Sequence, residues 1–509
     1  MKTNKYITIC LFAAGALFTT ACSDDFLEVT NPTGEPLEEY YTTDAHIQEA
    51  LVAAYDPTHW PDWGLGQYNA LNIDGEIMGD NFWVGGSNKA DQKDWHMLAN
   101  YEADENNTLG SLWTVDYSGV KRCNDLLKYL GWCKDAAMTA EKKSSYEMQA
   151  RALRVYYYNN LWHYFGNIPF YLENLTKPYT APQLKADEVY SKIIAELEDV
   201  INSNVLPMRW NDANSGRMSQ AMAYMMYAEM VMYQNDTSRY PTALAYMQNI
   251  IDDTSDYGLM DDYAAIWKES GEWCKESIWE VNYDDNNNER GWNSSLAIGG
   301  TVMPTLISPN GFHYLDKYGF DGDGWGFMPV RLETYNMYKD NDKRRDVTCW
   351  DVRGTTYTAR YQDTHIWLGK YIAQNDNNKD AGFDANLNYN NNLRVYRFAE
   401  TLLNAAELIL KTGGDQETAR KYVNLIRSRA GVSPLTSVTE DDIIQERRLE
   451  FVGEGKRYFD LVRTGKAATV LVPDEYGYRT NSWTEKKKYI PINQSELDSD
   501  PVLVQNDYK

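Results

Sequence analysis

Two stretches of this chain repeat one another. Ala228-Glu229-Met230-Val231-Met232 matches Ala406-Glu407-Leu408-Ile409-Leu410, and in each copy a Thr-Ala pair (Thr242-Ala243, Thr418-Ala419) opens a second apolar-periodic stretch. Alanines between large apolar residues at helical spacing let two antiparallel helices cross closely, so each copy reads as a helix hairpin. Such a hairpin cannot bury its apolar faces alone and has to stack on neighbours. No other feature constrains the fold as much: the chain must build a layered array of helices.

The same periodicity predicts helices over residues 146–165, 186–201, 219–234, 242–251, 393–411, 416–429 and 440–452. The pair 146–165 and 186–201 is a candidate third hairpin with a longer connection. The expected fold class is mainly α, with tetratricopeptide-like helix pairs as a scaffold and an irregular, loop-rich side for binding. Residues 254–392 supply that side. Helical periodicity fades there, and Gly, Asn, Asp, Trp and Tyr dominate, as in 284–289, 319–326 and 375–384. Residues 60–86 have the same texture.

The N-terminus states the destination. Lys2 and Lys5 precede an apolar run from Ile7 to Phe18, too short for a mature membrane span and the right length for a signal-peptide core. Thr20 and Ala21 then lead into Cys22, which reads as a lipidated first residue, although Thr19 stands where a lipobox usually has Leu. The expected division is a signal peptide over 1–21, a lipidated tether over 22–37 and a single domain over 38–509 that carries the 254–392 insertion. No later run is apolar enough to span a bilayer, so acyl chains on Cys22 would be the anchor.

The formal net charge is −25, and becomes −27 once Lys2 and Lys5 are removed. Such a field repels nucleic acid, and among glycans it favours neutral or weakly charged ones. Cys123, Cys133, Cys274 and Cys349 form no CxxC pair, and the histidines show no zinc spacing. A Cys123–Cys133 disulfide and buried free thiols are both compatible with the sequence. Asp321-Gly322-Asp323-Gly324 begins like a calcium loop but places Trp325 at the third ligand position; Asp376, Asn378 and Asp380 end on Ala381 where glycine is needed. No metal ligand set is therefore predicted, and no cofactor, though a calcium ion held by backbone carbonyls is compatible with the sequence. Serine-nucleophile elbows, HExxH and phosphate loops are absent.

The C-terminal third carries a signature. Glu446-Arg447-Arg448-Leu449-Glu450-Phe451, then Gly453-Glu454-Gly455-Lys456-Arg457-Tyr458-Phe459-Asp460-Leu461-Val462-Arg463, resembles the helix pair typical of the SusD/RagB family. Further landmarks follow the same order: 151–169 ending in Gly166-Asn167-Ile168-Pro169, Asp342 to Asp346, Arg397 to Glu407, and Tyr489-Ile490-Pro491-Ile492. Ser23-Asp24-Asp25 after Cys22 resembles the surface-export signal of these lipoproteins. The charged residues of the signature, from Glu446 to Asp460, read as a half-buried ion network that fixes neighbouring helices rather than as catalytic groups. The resemblance implies a non-enzymatic, surface-exposed outer-membrane lipoprotein. It would capture oligosaccharides for a SusC-like TonB-dependent transporter, with four helix pairs on one side and loops on the other. A peptide-capturing member of the same family and a surface glycoside hydrolase are the alternatives.

A pyranose offers a C–H face and a rim of hydroxyls, so its binding site needs flat aromatic platforms beside short polar side chains. The chain has 16 Trp and 39 Tyr against 13 Phe, which favours half-wet aromatic surfaces. The candidates are Trp83 with Asn81, Trp95, Trp292 with Asn293, Trp325, Tyr283 and Tyr314. No catalytic residue is assigned.

Overall fold

The computed structural model describes residues 34–286 and 289–508. The expected signal peptide over 1–21 and the expected lipidation site Cys22 lie outside this range. The spine is a run of helices, each packed on the next: α1 (Asp44–Tyr55), α2 (Gly110–Tyr129), α3 (Ala140–Phe165), α4 (Ala186–Asn202), α5 (Gln220–Gln234), α6 (Tyr240–Asp252), α7 (Phe398–Lys411) and α8 (Gln416–Arg429). Read as hairpins, these are four successive pairs. The two repeated motifs fall on α5 and α7, and their alanines are wholly buried: Ala228, Ala243, Ala405, Ala406 and Ala419 each have no exposed surface. Helix starts are set by side chains that accept the first free backbone N–H groups, as Thr43, Thr139, Ser219 and Asp415 do.

Two spine helices, α1 and α2, lie outside the ranges that periodicity predicts. Helix α2 contains Gly119, normally a poor helix former, at the point where it meets α3. A Cβ there would lie 2.4 Å from the Tyr157 ring, so the glycine permits a close crossing instead of breaking the helix. A second difference lies at 393–397. Leu393–Arg397 is not helix but a strand, paired antiparallel with Ser277–Val281.

The insertion between α6 and that strand is built from turns and short ribbons. One hairpin pairs Phe312–Tyr314 with Phe320–Gly322, and a second ribbon pairs Cys349–Asp351 with Ile366–Leu368. Under them sits a small second core of Phe312, Phe320, Val352, Trp367 and Tyr389. The stretch 60–86 is less irregular than expected, since Leu71–Ile77 is a buried helix.

The insertion is fastened to the spine by charge. Glu450, at the end of α9 (Glu440–Glu450), accepts hydrogen bonds from Arg344 (3.1 Å), Arg397 (3.1 Å) and Arg429 (2.5 Å). Glu276 is bonded to Arg397 and Arg429, and Glu454 to Arg397 and Lys370. Of the signature charges expected to form a half-buried network, Glu446, Arg447, Glu450, Arg457 and Asp460 are buried and Arg448 is half-buried. Burial alone pushes the Glu450 carboxyl up, but Arg429, Arg397 and Arg344 outweigh it and hold its pKa at about 2. On α10 (Arg457–Arg463), Arg463 donates to Glu407, while Lys456 just before it faces Glu229 at 3.5 Å. The repeated Ala-Glu motifs thus also serve as anchors for the signature helix.

The four cysteines at 123, 133, 274 and 349 are free thiols. Among the described residues no helix is long and apolar enough to cross a membrane, and no three His, Cys, Asp or Glu side chains converge as a metal cluster.

Candidate functional site

The segment 289–300 carries Trp292 and is pinned by Arg290. That guanidinium is fully buried and uses all five donors: on Asp62 (2.7 and 3.2 Å) and on the carbonyls of Trp63 (2.6 Å), Ser295 (2.9 Å) and Gly300 (2.6 Å). Asp62 also accepts the Val302 N–H at 2.9 Å. One buried ion pair therefore joins the loop of Trp292 to the loop of Trp63. The Trp292 N–H is held by Asp384 at 3.2 Å. Trp325 is positioned by its own N–H, which donates to the Thr305 carbonyl at 2.7 Å.

Trp292 and Trp325 come together with ring centres 5.9 Å apart and planes inclined by 26°. With ring planes in contact at roughly 3.5–4 Å, that separation leaves the two indoles staggered by about 4–5 Å. The result is a stepped shelf. Trp63 meets Trp292 edge-on at 4.9 Å, and Tyr68 meets Trp325 at 5.6 Å; both supports are themselves buried. Trp292 remains 49% exposed and Phe383, beside Gly291, 48%. Asn293, Ser294, Asp323 and Asn386 are exposed close by in sequence. Next to Trp325 is a polar hollow of about 110 Å³ lined by Asp321, Asp323, Asn375, Asn378 and Asn386. Flat apolar faces beside short hydroxyl-bonding groups suit a sugar chain.

The other candidates are placed elsewhere. Trp95 has no exposed surface and packs against Phe327. Trp83 is 5% exposed, with the Arg331 guanidinium 3.6 Å over its ring. Asn81 is buried, donating to Glu76 and accepting from Arg448. None of these three offers a surface to a ligand, because side chains distant in sequence cover them. Tyr283 is buried with its hydroxyl directed to the His59 carbonyl. Tyr314 packs on the second core and its hydroxyl accepts the Thr356 N–H. Sequence reasoning did not single out Trp63, Tyr68, Phe383 or Asp384. The dense aromatics at 60, 63 and 68 were the available signal for the first two.

Two further hollows lack an exposed indole. An interior one of about 120 Å³ is lined by His163, Glu229, Lys456 and Arg447, and an open cleft of about 1020 Å³ runs beside α1, His59 and Ile298.

A stacked helix-pair spine that presents a stepped aromatic shelf on an irregular insertion, with a signature helix locked by buried ion pairs, defines a SusD-type protein. Family models agree: one described as the SusD family matches residues 343–508, and one described as starch-binding associating with outer membrane matches 25–232. The chain belongs to the SusD family. It is similar to surface glycan-binding protein A from Bacteroides uniformis, at 63% identity over 92% of this chain and 100% of that one, with a TM-score of 0.85. It is also similar to surface glycan-binding protein A from Bacteroides thetaiotaomicron, solved in complex with laminarihexaose, at 52% identity over 92% and 100%, TM-score 0.86. Starch-binding protein SusD from Bacteroides thetaiotaomicron is 24% identical over 70% of this chain and 71% of that protein.

Proposed function

We propose that this protein is a non-enzymatic cell-surface lipoprotein, anchored to the outer membrane through Cys22, that captures a neutral glucan of the laminarin type. It would pass the glycan to a SusC-like TonB-dependent transporter. The observation that carries the reading is the staggered pair Trp292 and Trp325. Two successive sugars of a turning chain match a step better than a flat ribbon does, since each C–H face then meets its own indole. The short polar residues around the shelf would bond the hydroxyl rim, and the hollow at Asp321 and Asp323 would take polar groups projecting from the chain. A similar protein that was solved with laminarihexaose supports the choice of glucan. The pinned Arg290–Asp62 pair supports capture without large rearrangement, because a shelf already in place costs little ordering on binding.

Native gel electrophoresis in the presence of laminarin, starch and xylan tests this. The expected result is retardation by laminarin with no release of reducing ends. Sugar release would favour the hydrolase. Retardation by no glycan, together with binding to oligopeptides, would favour a peptide importer.

A further inference from the structure

A second exposed aromatic pair stands apart from the shelf and repeats its geometry. Tyr476 and Tyr478 have ring centres 5.8 Å apart and planes inclined by 26°, against 5.9 Å and 26° for Trp292 and Trp325. Trp83 supports both tyrosines edge-on, at 6.1 and 5.1 Å, as Trp63 and Tyr68 support the first pair. Tyr361 closes one flank, 5.8 Å from Tyr478. Tyr476 is 50% exposed.

The turn that carries them is rigid. The Asp474 carboxylate accepts the N–H groups of Tyr476 (2.7 Å), Tyr478 (3.2 Å) and Arg479. Arg479 is buried and donates to the carbonyls of Ala99 (2.8 Å) and Gly79 (2.6 Å). Tyr476, exposed, and Tyr478, half-buried, are thus held at the surface by a buried support. His96, 5.6 Å from the Tyr361 ring, is kept neutral because burial pulls its pKa to about 4.

The two pairs are also connected. The strip from Trp325 to Arg331 leads from the shelf to the guanidinium covering Trp83, and it is bonded to residues 83–86 by Trp83 N–H to Pro329, Gly86 N–H to Gly326 and Met328 N–H to Val84. Six residues span at most about 22 Å, a reach of a few sugars.

We propose that Tyr476 and Tyr478 form a second carbohydrate-stacking platform that engages further residues of the glycan chain bound on the Trp292 shelf. The proposal rests on the glycan-binding reading above. Joining two weak contacts through one polymer raises the apparent affinity for long chains without changing either contact.

The test compares laminarin with laminaribiose for Tyr476→Ala, Tyr476→Phe and Trp292→Ala in the full mature protein. Tyr476→Ala is expected to weaken laminarin retention about fivefold or more, the scale of one lost stacking contact. Its affinity for laminaribiose, too short to reach both pairs, should stay within about twofold of the parent protein by calorimetry. Tyr476→Phe keeps the ring and should retain laminarin like the parent. Unchanged laminarin retention in Tyr476→Ala would overturn the second platform and leave the patch to a protein partner. An equal loss for polymer and disaccharide would overturn it as well. Unchanged laminarin retention in Trp292→Ala would instead sink the shelf, whatever Tyr476 does.

Discussion

Replacing Trp292 by alanine separates binding from folding. A tryptophan side chain presents up to roughly 250 Å², so with 49% exposed about 120 Å² is open to a ligand. A pyranose that covers half of it removes about 60 Å² of indole and a similar area of its own C–H face from water. At about 25 cal/mol/Å² this comes to about 3 kcal/mol. Hydroxyls desolvated at the rim take back a share of that, roughly half, which leaves a loss of about tenfold in laminarin affinity. Trp95→Ala is the control. That ring is fully buried, so its removal should cost about 3–5 kcal/mol of folding stability while the folded fraction still binds. Calorimetry with laminarin and urea unfolding of both variants at 25 °C check this. Laminarin affinity within twofold of the parent in Trp292→Ala, with the fold intact, would refute the assignment of the shelf.

Acid should destabilise the protein through Glu450. Its folded pKa of about 2 lies below the ordinary value near 4.5, so its contribution is complete above pH 4.5 and is lost as the pH falls toward 2. This amounts to roughly 2 kcal/mol lost by pH 3. Glu76 acts in the opposite sense: burial raises it to about 7, and its contribution is complete below pH 4.5 and fades as the pH rises through 7. Urea midpoints across pH 3–8 should therefore peak on the acid side of neutrality; a monotonic rise to pH 8 would contradict the pair. Gly119→Ala should lower the urea midpoint by the equivalent of about 1–3 kcal/mol, because the new methyl would meet the Tyr157 ring at 2.4 Å. Laminarin affinity should change less than about twofold between 0.05 and 0.5 M NaCl, since an uncharged ligand offers nothing for salt to screen.

The spine was legible where apolar residues kept a helical period and caps marked the ends, as in Gln416–Arg429. It was not legible at Gly110–Tyr129, because the glycine that lets α2 approach α3 looks like a breaker until the Tyr157 ring is known to lie on it. Leu393–Arg397 sits directly before a helix and borrowed its pattern; pairing with Ser277–Val281 makes it a strand. The site shows a similar limit. Trp83, Trp95, Trp292 and Trp325 all sit among polar or irregular neighbours. What separates platform from core is the cover supplied by Arg331 and Phe327, which lie more than two hundred positions away along the chain.

The clamp at Arg290 has a practical consequence. Because both ends of the Trp292 segment are tied to Asp62 and to the Gly300 carbonyl, the residues between them form an exchangeable cassette. Grafting a different 291–298 sequence, with the anchoring pair untouched, offers a route to redirecting specificity without redesigning the scaffold.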